Sequence, residues 1–155
     1  MDVNTSELGF LIHDAARLLR RRFEQHARDS GLTRSQWQVL ATLRRNEGIH
    51  QSGLADLLEI EPITLGRIVD KLQDLGLVER RPHPTDRRVW QLALTPNAKP
   101  KIEALQVYGE TTRAEALEGL SASDIKRLMS TLQVMRANLS NASALPGQTR
   151  RTNYG

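Results

Sequence analysis

Residues 49–95 read IHQSGLADLLEIEPITLGRIVDKLQDLGLVERRPHPTDRRVWQLALT. Leu54, Ala55, Leu57 and Leu58 have the spacing of a short amphipathic helix. Leu58-Glu59-Ile60 reads as a tight turn. Pro62 suits the first position of a new helix, where its missing N–H would have no intrahelical partner anyway. That second helix is expected to bury Leu65, Ile68, Val69, Leu72 and Leu75 and to stop at Gly76. Two short helices across a turn of three or four residues make a helix-turn-helix. Directly after Gly76, Leu77 and Val78 open one strand. In a second strand Val89, Gln91 and Ala93 alternate with Trp90, Leu92 and Leu94. A loop containing Pro and Asp joins them. A helix-turn-helix followed at once by a hairpin is the winged-helix arrangement, and Ile49-His50-Gln51 offers a third short strand.

Outward from this centre the chain is helical. Leu8, Leu11, Ile12, Ala15, Leu18, Leu19 and Phe23 recur at helical spacing, which predicts one long helix over roughly 6–29, ended by Gly31. Its other face carries Arg17, Arg20, Arg21, Arg22 and Arg28. Thr33 followed by Gln36 forms a capping box, and the helix it opens lines Trp37, Val39, Leu40 and Leu43 on one face and closes at Gly48. Trp37 reads as a core residue, with ligand stacking as the alternative. Thr95 is expected to cap a further helix, with Pro96 in its first turn, Pro100 early in its course and a stripe of Ile102, Leu105, Tyr108 and Leu117. Ser121 and Asp124 resemble a second capping box. The helix they open spaces Ile125, Leu128, Leu132, Met135 and Leu139 by threes and fours, a seam for another helix. The chain therefore reads as one domain over 1–141, mainly α with a small β-hairpin wing (α+β). Helices are expected over about 6–29 and 97–141, flanking a winged helix over about 32–95. Residues 142–155, ASALPGQTRRTNYG from 142 onward, read as a polar tail expected to be disordered.

Composition limits the function classes. The chain has 155 residues, a formal charge of +4 and 26% charged residues, so a modest basic excess is compatible with a polyanionic partner without requiring one. Residues 61–90 hold six Lys/Arg against five Asp/Glu, so any argument for nucleic acid rests on position and not on net charge. There is no cysteine, which removes disulfides, thiol redox chemistry and thiolate metal sites. The opening MDVNTSELGF is acidic and polar, unlike a secretory signal, and no apolar run approaches the length of a membrane span. His13, His26, His50 and His83 lack metal-ligand spacing. Ser35 and Ser52-Gly53 lack a nucleophile-elbow context, and no phosphate-binding glycine loop is present. An enzyme, a cofactor and a metal site are therefore not expected.

With GLVER at 76–80 leading into a wing that carries PTDRRVWQLALT at 84–95, the chain resembles the MarR family of bacterial transcription regulators over about residues 6–141. TRSQWQVLATL at 33–43 is similar to the family's second helix. The resemblance implies a cytoplasmic homodimer built from the first and the last two helices, with Leu11, Ile125, Leu128, Leu132, Met135 and Leu139 in the interface. It implies a helix at 62–75 in a major groove of double-stranded DNA and a wing in a minor groove. It also implies a small, often phenolic or aromatic acid effector that loosens DNA binding, as in a ligand-responsive repressor. His13, Arg17 and Trp37 are the candidate effector residues. The missing cysteine excludes the family's peroxide-sensing branch.

On that reading, periodicity places Pro62, Ile63, Thr64, Gly66, Arg67 and Lys71 on the outer face. Thr64 suits a base edge or a phosphate, Ile63 a thymine methyl and Arg67 a guanine. Gly66 leaves room for close backbone approach, and Lys71 suits a phosphate. Arg67 has an alternative as the partner of Asp70 or Asp74. Arg87 and Arg88 lie at the wing tip, with Asp86 expected to pair with Arg88. Arg80 and Arg81 lie lower on the hairpin, where phosphates would pass. A protein–protein adaptor and an RNA-binding winged helix are the other functions compatible with this order of elements.

Overall fold

Pro62 and Gly76 bracket the second helix of the helix-turn-helix as their backbone chemistry requires. The computed structural model describes residues 2–143. In chain order the elements are α1 (Leu8–His26), α2 (Arg34–Arg45), α3 (Gln51–Leu58), α4 (Pro62–Asp74), β1 (Val78–Pro82), β2 (Trp90–Leu94), α5 (Ala98–Ala116) and α6 (Ala122–Ser143). A short 3-10 turn, Ala27–Ser30, extends α1 and hands over to Gly31, whose φ of 75° ends it. The expected helix over 6–29 is thus a slightly shorter α-helix with a tighter last turn. The chain divides into two units, 1–116 and 117–155.

In the first unit the turn between α3 and α4 depends on Glu59, a non-glycine residue at φ 53°. Its N–H reaches the Asp56 carbonyl and the N–H of Ile60 reaches Ala55. Pro62 is the first residue of α4. Val39, Leu40 and Leu43 of α2, Leu54 and Ala55 of α3, and Leu65, Val69 and Leu72 of α4 close one core with Leu77, Val78 and Leu92 of the wing. One residue expected inside is not: Leu75, just past the end of α4, is 55% exposed, and Leu57, part of the apolar spacing of α3, is 56% exposed. Helical spacing counts a wide apolar stripe as buried, but only the part facing a neighbouring element is covered.

The Thr33 hydroxyl accepts from Gln36 N–H at 3.2 Å and the Gln36 side chain accepts from Thr33 N–H at 3.0 Å, completing the α2 capping box. That helix stops at Arg45, ahead of Gly48. β1 and β2 are antiparallel, with Val78 opposite Leu94, Arg80 opposite Leu92 and Pro82 opposite Trp90. The third strand shrinks to one bridge between His50 and Gln91, because Gln51 already belongs to α3. Thr95 does not cap α5 with its hydroxyl. That group donates to the Gly76 carbonyl, tying the foot of the wing to the end of α4, and α5 starts later, at Ala98. Pro100 is the third residue of α5, where no helical hydrogen bond has to be given up.

α1 and α5 are joined by Glu115, whose carboxylate takes Arg22 Nε at 2.6 Å and His26 Nε2 at 2.8 Å. The Arg22 hydrogen bond, with His26 assisting, holds the Glu115 carboxyl below the usual carboxylate range. In the second unit the Ser121–Asp124 capping box forms as expected, with Asp124 N–H on the Ser121 hydroxyl at 3.1 Å and Ser121 N–H on the Asp124 carboxylate at 3.2 Å. α6 runs on through Asn141 to Ser143, past the expected boundary at 141. The tail proposed for 142–155 otherwise lies outside the described residues.

Candidate nucleic-acid interface

The outer face of α4 follows from the burial of Leu65, Val69 and Leu72. A helix that buries these three must turn positions 63, 64, 67 and 71 to solvent. Ile63 is 74% exposed, and Pro62, Thr64, Arg67 and Lys71 are exposed beside it. Arg67 makes no ion pair among the described residues, so its alternative reading as the partner of Asp70 or Asp74 does not hold. Asp70 is taken by Arg80 instead. Gly66 is half-buried, and a Cβ placed there would meet the Gln51 amide at an ordinary 3.5 Å. A methyl group would thus fit at Gly66, with the Gln51 side chain as its neighbour.

Arg80 is the largest departure from expectation. The wing alternates with period two, so a buried Val78 brings Arg80 to the same face, opposite buried Leu92. Its side chain is only 18% exposed. Nε donates to Gln51 Oε1 at 2.9 Å, Nη1 to Gln73 Oε1 at 2.9 Å and Nη2 to the Gly66 carbonyl at 3.1 Å, and Nη1 lies 2.7 Å from Asp70. The guanidinium thus ties β1 to α3 and α4, and four of its five N–H groups are directed at partners in this chain. Arg81, on the opposite face, is exposed and paired with Glu79 through Nε at 2.7 Å.

At the tip, Asp86 accepts from Arg88 N–H at 3.0 Å and from Arg88 Nε at 3.2 Å, the pairing expected from the sequence. The backbone N–H of Arg88, then its side chain, holds the Asp86 carboxyl below the usual range. Arg87 is exposed and makes no ion pair among the described residues. Of the four arginines, three carry carboxylate partners, one of them (Arg80) internal, and Arg87 has no ion pair among the described residues. Sequence reasoning missed His83, whose Nδ1 lies 3.2 Å from Thr85 N and 3.1 Å from Asp86 N.

A family model described as the MarR family matches residues 30–89. The crystal structure of wild-type apo MarR from E. coli aligns with a TM-score of 0.74 at 26% identity, over 87% of this chain and 98% of that one. The winged-helix region is thus similar to the MarR family, and the chain shares the fold of solved MarR proteins. A MarR transcriptional regulator from Methanosarcina mazei Go1 shares the fold at a TM-score of 0.78 and 24% identity, over 87% and 97% of the two chains. An E. coli MarR cysteine-to-serine mutant complexed with operator DNA aligns at a TM-score of 0.70 and 26% identity, over 87% and 99%.

The first unit also holds a cavity. Trp37 stacks at a tilt on Phe23, with ring centroids 4.4 Å apart. Both line a cavity of about 410 Å³ between α2 and α5, with Arg44, Arg45, Gln106, Glu110 and Arg113 around it. Neither His13 nor Arg17 lines this cavity, so the expected trio is not assembled. Both are exposed on α1, and Arg17 sits 3.5 Å from Asp14 one turn away. Helical spacing reports which residues share a face but not which face meets α5. Among the described residues no group of three or more His, Cys, Asp or Glu is arranged to hold a metal ion, and no helix is long and apolar enough to cross a membrane.

Proposed function

We propose that this chain is a sequence-specific, double-stranded-DNA-binding transcription regulator that acts as a homodimer on a pseudo-palindromic site. The observation that carries the reading is the exposed Arg67 on the outer face of α4, without an ion pair among the described residues, flanked by Ile63, Thr64 and Lys71 and set beside an arginine-tipped wing. Bidentate Arg to guanine is the commonest specific contact in a major groove. The relative complexed with operator DNA supports the same use of the fold. On this reading the protein works in the bacterial cytoplasm, where its DNA is. The exposed Leu11 of α1 and, separately, Leu128, Leu132 and Leu139 of α6, with half-buried Ile125 and Met135, supply apolar surface for dimerisation.

Selection of bound duplexes from a random pool, followed by footprinting, tests this. Two half-sites about one helical turn apart, roughly 10 base pairs, are expected. Arg67→Ala is expected to relax one position in each half-site at about 1–3 kcal/mol per contact. Sedimentation of the unmodified chain as a monomer, or one asymmetric half-site, contradicts the proposal.

The effector belongs, on this proposal, to the Phe23–Trp37 cavity and not to His13 and Arg17. Two aromatic rings suit a flat ligand, and Arg44, Arg45 and Arg113 outnumber Glu110, which favours an anion. Titration calorimetry with salicylate is expected to show binding that Arg113→Ala weakens and His13→Ala leaves alone. Loss of binding in His13→Ala alone restores the trio read from sequence.

A further inference from the structure

The wing tip is built around a histidine ring that has no part in the proposed DNA contacts. His83 opens the loop, and its own N–H donates to the Val89 carbonyl at 3.1 Å, while Val89 N–H donates to Asp86 at 3.1 Å. Inside this closed loop the ring turns back. Nδ1 faces the N–H of Thr85 at 3.2 Å, the N–H of Asp86 at 3.1 Å and the Thr85 hydroxyl at 3.2 Å. Backbone N–H groups can only donate, so Nδ1 must carry its lone pair and the ring proton must sit on Nε2. The ring is steadied on one side by His50, edge-on with centroids 5.1 Å apart. His50 itself is bridged to Gln91 of β2. The charged and titratable groups around the ring are therefore His50 just ahead of α3, and Asp86 with its partner Arg88 on the loop.

These contacts form a relay. The His83 ring fixes the backbone at Thr85 and Asp86. That backbone aims the Asp86 carboxylate, and the carboxylate in turn holds the backbone and guanidinium of Arg88. The relay exists only while Nδ1 is unprotonated. A proton on Nδ1 would face two N–H groups, so the ring would have to turn away or the loop open. Attraction to Asp86 would hold the charged ring nearby without restoring either backbone bond. Histidine is the side chain whose ordinary charge change falls between about pH 5 and 8.

We propose that His83 is the positioning residue of the wing, and that its protonation releases Thr85 and Asp86 and so weakens the grip of the wing on duplex DNA at acid pH. The part about DNA rests on the proposed function; the part about the loop does not. The sign separates this from simple electrostatics, since adding a positive charge beside phosphates would tighten binding. One proton excluded per wing sets the limit at about tenfold in affinity per pH unit for each wing, and so about a hundredfold for a dimer that engages both. Asp86 is not the sensor in this range, because its carboxyl is held below the usual carboxylate values.

The test uses the full chain in two measurements, at constant ionic strength, from about pH 8 to about pH 5.5. Amide resonances of Thr85 and Asp86 are followed in the free protein, and affinity is followed for a duplex selected at the higher pH. His83→Asn places a non-titrating acceptor where Nδ1 stands, His83→Ala removes it, and His50→Gln removes the neighbouring ring. In the unsubstituted protein the two amides are expected to shift in step with the His83 ring and affinity to fall on acidification. His83→Asn should keep high-pH affinity and lose the fall. His83→Ala should be weak throughout, and His50→Gln should still titrate. Amides that ignore the His83 ring, an affinity that rises on acidification, or a pH effect that survives in His83→Asn overturns the proposal. If no duplex is recovered at any pH, the DNA reading fails, and the amide measurement still decides the role of His83.

Discussion

Arg80→Ala is expected to destabilise the protein by about 2–3 kcal/mol and to weaken DNA binding as a consequence. Hydrogen bonds to a charged group contribute about 1.5–3 kcal/mol each before partners regain water. Arg80 makes them to Gln51, Gln73 and the Gly66 carbonyl. The ion pair with Asp70 adds less, because Asp70 is 62% exposed and solvent screens it. Alanine would leave the Gly66 carbonyl and the Gln51 amide without this donor and would open the space under the hairpin. Lysine would not rescue the site, since one ammonium cannot reach three elements as a planar fork does. Urea unfolding measures the effect. Arg81→Ala is the control: Arg81 is exposed, its ion pair is with Glu79 of its own strand, and it should change stability by no more than about 0.5 kcal/mol. If Arg80→Ala unfolds like the unsubstituted protein yet binds DNA poorly, Arg80 is a phosphate contact after all, as its place in the sequence implies.

The second large effect is expected at the tip. Arg87→Ala and Arg88→Ala should each weaken binding to every duplex and lower the salt slope by about one unit for each phosphate that the side chain had neutralised. Arg87 should matter through its charge, being exposed and unpaired among the described residues. Arg88 should matter through its charge and its place, because Asp86 holds both its N–H and its Nε. An ordered arginine gives up less rotamer freedom when it enters a narrow, negative minor groove. Asp86→Ala is therefore expected to weaken binding although it removes a negative charge facing DNA. Salt-titrated anisotropy with each variant reads both quantities. Tighter binding by Asp86→Ala would mean that repulsion outweighs ordering, and that this carboxylate does not organise the wing.

The two tests separate arginines that look equivalent in RRPHPTDRR. All four are two or fewer residues from another arginine and flank one loop. Their roles diverge because the strand alternates. Val78 faces the core, so Arg80 follows it inward and Arg81 turns out. Asp86 then claims Arg88 and leaves Arg87 free of an ion pair among the described residues. A basic cluster read only by its charge overstates what it offers to a phosphate backbone.

Elements whose signals are local were legible in the order of residues alone. Thr33 with Gln36 and Ser121 with Asp124 cap helices because their partners lie three residues away. Pro62 starts α4 and Gly76 ends it through backbone constraints that each residue carries alone. Apolar spacing located the exposed face of α4, and the Asp86–Arg88 pair spans two residues. Features that depend on partners far along the chain emerged from packing. Arg80 reaches residues 29, 14 and 7 positions away. The Thr95 hydroxyl goes back 19 residues to Gly76 instead of forward to α5. Trp37 meets Phe23 and lines a cavity with side chains of α5, while His13 and Arg17 stay outside it. Leu57 and Leu75 match the apolar spacing of their helices but stay more than half exposed. Periodicity fixes which side chains share a face. Which face is covered, and which donor a given carbonyl or carboxylate receives, is set by how the helices and the hairpin pack, and each such contact competes with others of similar energy that the linear order leaves equally open.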